Sequence, residues 1–412
     1  MKGFFKLISS VEFTGLFAQF HPLEVETIKL GHGLGRVLGS TVTSLENLPP
    51  FSRSTMDGYA VRAKDTFGCS ESEPALLTVI GEIAMGSSGQ QFSLQPGQAV
   101  RIWTGGELPQ KGDSVVMVEY TRKLDDDTIE VYRPVAPAQN TIRAGEDFDK
   151  GAKVLEQGRQ LRPADLGVLA GLGNPAIPVF RKPRVAIIST GDELVAPDQT
   201  PGPGQIRDIN SSTLAALVAE AGAIPLPLGI VGDDFETMKH TCTNALDEAD
   251  VVLLSGGSSV GRRDFTLQVL EDIPGTELLA HGVAIRPGKP TILARLDNKA
   301  LFGLPGHAAS AMVVFYLFVR PLLRKYQGLP CDLGLQAIQA VTDQQIPSTI
   351  GREEYVRVQL TPQPDGTPPM ATPIYGKSGL LKPLVKADGL LTIGRDVEGL
   401  DQGVTATVLL FP

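Results

Sequence analysis

The sequence predicts a multidomain α/β plus β protein built round a central, doubly wound, mostly parallel sheet. Three observations carry this expectation. At 412 residues the chain exceeds what one hydrophobic core organises, and its length suggests roughly two to four domains. From Pro183 to about Gly328, buried apolar runs alternate with helical segments, the mark of βαβ units. On both sides of that region the texture changes to short β runs cut by Gly and Pro.

Taken in order, residues 1–43 space their apolar positions as a helix does and end in "GHGLGRVLGSTV". That stretch holds a G-x-G, but the helix and acid that a dinucleotide site requires do not follow. Residues 44–140 read as a small all-β unit through "ALLTVIGEI", "GQAVRIW", "DSVVMVEY" and "DTIEVYRPV". Residues 141–180 turn helical again at "RPADLGVLAGLG", so the β unit is expected as an insertion into a helical domain made of 1–43 and 141–180. In 181–329 the order is strand "RVAIIST", helix from Asn210, strand "PLPLGIV", helix "DFETMKHTCTNALDEA", strand "DVVLL" and helix "DFTLQVLEDI". Residues 330–412 form a C-terminal β unit through "REEYVRVQL", "ATPIYG" and "GVTATVLLF".

Composition narrows the function classes. With 42% hydrophobic and 20% charged residues the chain reads as a soluble globular protein. A net charge of −9 argues against a general nucleic-acid binder, and no apolar run is long enough to predict a membrane span. Cys69, Cys242 and Cys331 are far apart and lack CxxC spacing, which predicts a reduced, cytoplasmic protein without a zinc site. The five histidines form no HExxH pair.

The chemistry gathers in loops that follow apolar runs. "LSGGSSVGRRDF" (Leu254 to Phe265) has the spacing of a phosphate loop, but Arg262 and Arg263 occupy the Lys and Ser/Thr positions, so it is not a Walker A site. A Gly-rich strand-to-helix loop still binds anions through backbone N–H groups; equally, Asp264 could only cap a helix. "STGDELV" (Ser189 to Val195) repeats the layout and presents Asp192 and Glu193. Carboxylates beside a phosphate site imply a divalent cation between them, and Asp233 or Asp234 of "GDD" is a further contributor, with a helix cap as the alternative role. "AIRPGKP" supplies Arg286 and Lys289 on a Pro-Gly turn, and "GLPGHAAS" opens an apolar helix through Pro305 and Gly306. In the β region, "PPFSRSTMDGYAV" displays Asp57 and "RIWTGGELPQKGDSVVMVEY" displays Thr104, each on a turn.

Together with "IRAGEDFDKG", "GQIRDIN" and "GKSGLLKPLVKADGLLTI", these motifs resemble, in order and over almost the whole chain, the molybdopterin molybdenumtransferases of the MoeA type, relatives of the gephyrin E domain. The resemblance implies a helical, dimerising domain carrying a β lid, a doubly wound molybdopterin-binding α/β domain, a C-terminal β-barrel and an elongated homodimer. It implies a reaction in which molybdate is inserted into adenylylated molybdopterin with Mg²⁺-dependent release of AMP, and so partners that include a molybdopterin adenylyltransferase and recipient molybdoenzymes. By motif position, Asp57 and Thr104 would reach the partner's cleft and Asp147 would lie between domains. Glu193 and Asp264, with Asp233, would hold Mg²⁺. Arg286 and Lys289 would hold phosphate or molybdate. Gly256, Gly257 and Ser258 would approach the pterin phosphate, with Thr190, Gly191, Ser255, Pro305, Gly306 and Ser378 as further ligand contacts. The chain departs from the family pattern at His307 and Ala308, where Asn and Pro are expected, and at Arg286, where Lys is commoner. Alternatives are a molybdopterin adenylyltransferase, suggested by "GRRDFT", a tungstate-inserting paralogue, and a non-catalytic pterin-binding scaffold.

Overall fold

Side-chain alternation along one strand explains the central sheet. In the strand Arg184–Thr190, Val185 and Ile187 pack into one apolar cluster and Ala186 and Ile188 into another. Both faces are therefore covered, as expected for an internal strand of a parallel sheet. The computed structural model describes residues 7–256, 265–364 and 366–412, which form two compact units.

The smaller unit comprises Ile28–Leu34 and Ser40–Ile177. Its sheet is formed by β1 (Gly58–Val61), β2 (Ala75–Ile83), β3 (Gln98–Ile102), β4 (Ser114–Met117), β5 (Thr121–Lys123) and β6 (Thr128–Val131), in the order β4-β1-β3-β2-β6-β5. Gly58 is required by close approach: a Cβ there would lie 1.9 Å from the carbonyl oxygen of Val116 on the neighbouring strand.

The larger unit contains Pro178–Pro412 together with residues up to Thr27 and Gly35–Gly39. It starts its sheet with β7 (Arg184–Thr190), α1 (Asn210–Glu220), β8 (Ile224–Val231), α2 (Phe235–Glu248), β9 (Val251–Ser255) and α3 (Thr266–Asp272). Then come β10 (Glu277–His281), β11 (Ile292–Leu296), β12 (Lys299–Leu304) and α4 (Ala308–Val314). The strand order is β8-β7-β9-β12-β11-β10; the first four are mutually parallel, and β11 pairs antiparallel with both β12 and β10. After β8 the chain crosses β7 to lay down β9, so the winding reverses between β7 and β9. Helices α1 and α4 pack on one face, α2 and α3 on the other. Cys242 of α2 sits in that second core, where burial pushes its thiol up to about 12 and leaves it unreactive.

C-terminal to this sheet, β13 (Ala337–Thr342), β14 (Glu353–Thr361), β15 (Met370–Pro373), β16 (Gly389–Ile393) and β17 (Thr405–Leu410) close into a barrel, β14-β15-β13-β17-β16 and back to β14. Ala340, Val358, Ala371, Leu391 and Val408 fill it.

The segments expected to be helical are mostly not. Among the described residues, 7–43 hold one α-helix, Ser10–Gly15, and 141–180 hold one, Pro163–Gly171. Gly31, Gly33, Gly35 and Gly39 interrupt the first segment, at about 1 kcal/mol each against alanine in a helix. Gly145, Gly151 and Gly158 take positive φ in the second.

Candidate functional site

In an open α/β sheet the crevice beyond the carboxyl ends of the strands opens where the winding reverses. Here a cleft of about 490 Å³ lies at that point. Its walls come from four strand ends: Thr190, Gly191 and Glu193 after β7, Asp233 after β8, Ser255 and Gly256 after β9, and Pro305, Gly306 and His307 after β12.

Backbone geometry lets these loops converge. Gly256 has φ +119°, and a Cβ on it would stand 2.4 Å from the carbonyl oxygen of Thr190 and 2.6 Å from its Oγ1. Only glycine fits between β7 and β9 at this level. Gly191, at φ +146°, leaves room for the Glu193 carboxylate, whose oxygens would lie 2.7 and 2.8 Å from an added Cβ. The Thr190 hydroxyl is buried and has no hydrogen-bond partner among the described residues. A polar atom in that state costs about 1–3 kcal/mol, and a bound ligand at the cleft could satisfy it.

Two residues that the motifs flagged without a role hold the cleft together. Asn210, the first residue of α1, is buried and donates from Nδ2 to Ser255 Oγ at 2.6 Å and to the carbonyl of Gly306 at 2.8 Å. One amide thereby ties the β9 end to the β12 end. Asp208, also buried, accepts from Ser189 Oγ at 3.0 Å and from Ser211 N–H at 3.1 Å, which caps α1. Both lie in "GQIRDIN", whose position between a strand and a helix was the available signal.

The "GDD" pair divides its duties. Asp234 caps α2 by accepting from Thr237 N–H at 2.8 Å, while Asp233 lines the cleft and donates its N–H to Asp192 Oδ1 at 2.9 Å. Gly257, Ser258 and Asp264 lie outside the described residues.

A second cleft of about 370 Å³ is lined by Arg286, Glu354, Arg357, Tyr375, Lys377 and Ser378, among others. Arg286 pairs with Glu354 at 3.4 Å. Arg357 Nη2 donates to the carbonyl of Gly376 at 2.8 Å, but its Nη1 is buried without a partner among the described residues, and desolvation lowers its pKa. Lys289 is half-buried on the turn between Arg286 and Pro290, and its carbonyl accepts from Val283 N–H at 2.9 Å.

In the smaller unit, Asp57 and Thr104 meet directly. Asp57 Oδ1 accepts from Thr104 N–H at 2.8 Å and from Thr104 Oγ1 at 2.7 Å. These bonds, with the Arg101 charge a lesser cause, hold the Asp57 carboxyl below its ordinary range. Asp147 is exposed, on a turn where its N–H donates to the carbonyl of Leu48 at 3.0 Å. Among the described residues, no helix is long and apolar enough to cross a membrane.

Three family models match successive parts of the chain: the MoeA N-terminal region (domain I and II) over residues 10–173, a probable molybdopterin binding domain over 186–325, and the MoeA C-terminal region (domain IV) over 339–411. The chain is 38% identical over 336 residues to the molybdopterin molybdenumtransferase of a Nostoc species, covering 81% of this chain and 76% of that one. To the Bacillus subtilis molybdopterin molybdenumtransferase it is 34% identical over 391 residues, covering 94% and 90%. The crystal structure of a molybdopterin biosynthesis MoeA protein from Pyrococcus horikoshii superposes with a TM-score of 0.85 at 35% identity, covering 99% of this chain and 100% of that one. With matches of this reach, the chain belongs to the molybdopterin molybdenumtransferase (MoeA) family.

Proposed function

We propose that this chain is a molybdopterin molybdenumtransferase of molybdenum cofactor biosynthesis, and that its substrates are adenylylated molybdopterin and molybdate, with AMP released. The observation that carries the reading is the buried Thr190 hydroxyl, without a partner among the described residues, at the mouth of the winding reversal, beside Gly256 and Gly191, whose missing side chains make room for Thr190 and for the Glu193 carboxylate. The pterin phosphate lies beside Gly256 and Thr190, where the Thr190 hydroxyl can donate to it.

Glu193 and Asp233 bring two carboxylates to this cleft. That donor set fits Mg²⁺, which takes one or two carboxylates, keeps several waters and completes its shell from substrate phosphates. Phosphate oxygens of the substrate would complete the site. Glu193 and Asp233 would hold the ion, with Asp264 as the third candidate, and the ion would neutralise charge on the phosphate that leaves with AMP. The second cleft, with Arg286, Arg357 and Lys377 in its wall, suits the oxyanion, and Lys289 stands on the turn beside it. In a homodimer, Asp57 and Thr104 of one copy complete the cleft of the other.

The test is assembly from purified components. Chain, adenylylated molybdopterin, Mg²⁺ and molybdate should yield AMP and a product that activates a molybdenum-free apoenzyme. Formation of adenylylated molybdopterin from molybdopterin and ATP would instead make this an adenylyltransferase. Tungstate in competition, followed by metal analysis of the product, decides the oxyanion. For the dimer, mixing D57N with E193Q should restore activity that each lacks alone; no recovery in the mixture counts against shared clefts.

A further inference from the structure

The two clefts of the larger unit meet at one side-chain hydrogen bond. His307 lines the strand-end cleft, Ser378 lines the second, and His307 Nδ1 stands 2.9 Å from Ser378 Oγ. Ala309 N–H also donates to the carbonyl of Ser378, at 3.3 Å. The His307 carbonyl accepts from Ser310 N–H and Ala311 N–H at 2.9 and 3.0 Å, so its backbone is committed to the first turn of α4. Only the ring is left to respond. Gly379 lies beside the far edge of that ring, where a Cβ would make only ordinary van der Waals contact, 3.4 Å from Cδ2 and 3.8 Å from Nε2.

A serine hydroxyl has one proton to donate, and a neutral imidazole has one N–H shared between two nitrogens. While Ser378 donates to Nδ1, the neutral ring carries its hydrogen on Nε2 and offers a donor. If an acceptor in the second cleft takes the Ser378 proton in a hydrogen bond, Ser378 Oγ has to accept from Nδ1–H instead. The neutral ring then leaves Nε2 as an acceptor. One proton leaves Nε2 and one joins Nδ1 by way of solvent, with no net change in charge. Arg286, Lys377 and the buried Nη1 of Arg357, which has no partner among the described residues, make an oxyanion the acceptor that the second cleft suits.

We propose that His307 is a positioning residue that relays the occupancy of the second cleft by a tetrahedral oxyanion to the strand-end cleft, through its hydrogen bond with Ser378. The relay makes ligands in the two clefts energetically dependent on each other. It rests on the reading of this chain as an enzyme that uses molybdate.

The full-length protein labelled with ¹⁵N at its five histidines reports the ring directly, and H307Q identifies the His307 signals. Saturating molybdate is expected to exchange the protonated and unprotonated nitrogen signals of His307. In S378A, brought to saturation, the exchange is lost; in S378T it returns. AMP, as a probe of the strand-end cleft, should shift the molybdate dissociation constant about fivefold or more in the wild type and leave it unchanged in S378A. A His307 tautomer that stays fixed as molybdate saturates overturns the relay, as does an exchange that persists in S378A or molybdate that does not bind. Wild-type turnover on the same preparation tests the insertion reading separately, because insertion can proceed with the relay absent.

Discussion

On the proposed reading, the two clefts of the larger unit hold an anion with contrasting materials. The strand-end cleft offers hydroxyls and the carboxylates Glu193, Asp208 and Asp233 with one cation, Arg207, whereas the second offers Arg286, Arg357 and Lys377 with one carboxylate, Glu354. An anion beside carboxylates needs an external cation, while one beside guanidinium groups does not. Dependence on Mg²⁺ should therefore belong to the first cleft alone.

The largest expected effect tests that division. E193Q and D233N should each slow AMP release about 100-fold or more and raise the Mg²⁺ requirement, with molybdate affinity unchanged. Loss of molybdate binding in either variant, measured by calorimetry, would merge the two clefts into one. Next comes G256A, which has to place a Cβ against Thr190 at positive φ. It should cost about 1–3 kcal/mol of stability and abolish ligand binding at the strand ends. Thermal denaturation with an AMP titration reads both.

R357M isolates the second cleft. It removes Nη1, which has no partner among the described residues, together with one hydrogen bond to Gly376, so net stability should change by less than about 1 kcal/mol. Molybdate should nevertheless bind about tenfold more weakly, and a large fall in melting temperature instead would mark Arg357 as structural. The smallest effect concerns Asp57. Its carboxyl titrates below 3.8 because Thr104 donates to the ionised form. A depressed folded-state value stabilises above the unfolded one, so the contact persists at neutral pH and is lost only as pH falls below about 3.8. T104A should move the Asp57 midpoint up towards 3.8 in a carboxyl NMR titration.

What the sequence discloses follows the range of the contacts. Each apolar run that ends in a Gly-containing polar loop can be read locally, and these loops supply the cleft residues Thr190, Gly191, Glu193, Asp233, Ser255, Gly256, Pro305 and Gly306. The bonds that fix them cannot. Asn210 reaches Ser255 and Gly306 across 45 and 96 residues, and His307 reaches Ser378 across 71. Arg357 alternates with apolar neighbours in "EYVRVQL" as any exposed strand cation would, and only the folded chain buries its Nη1. The helical expectation for residues 1–43 fails over the described part, 7–43, for a local reason: the apolar spacing suits a helix but the run of glycines does not.

The closure of the C-terminal barrel carries one more consequence. Its first strand, β13, pairs antiparallel with its last, β17, bringing Ala337 opposite Leu409, and Leu410 N–H donates to the carbonyl of Gln336. The two ends of this segment leave the barrel at one spot, like the two leads of a plug. A short linker there would let the barrel be circularly permuted without opening its five-strand closure, whereas excising it would break the short parallel pairing of Ile285–Arg286 with Glu353–Glu354.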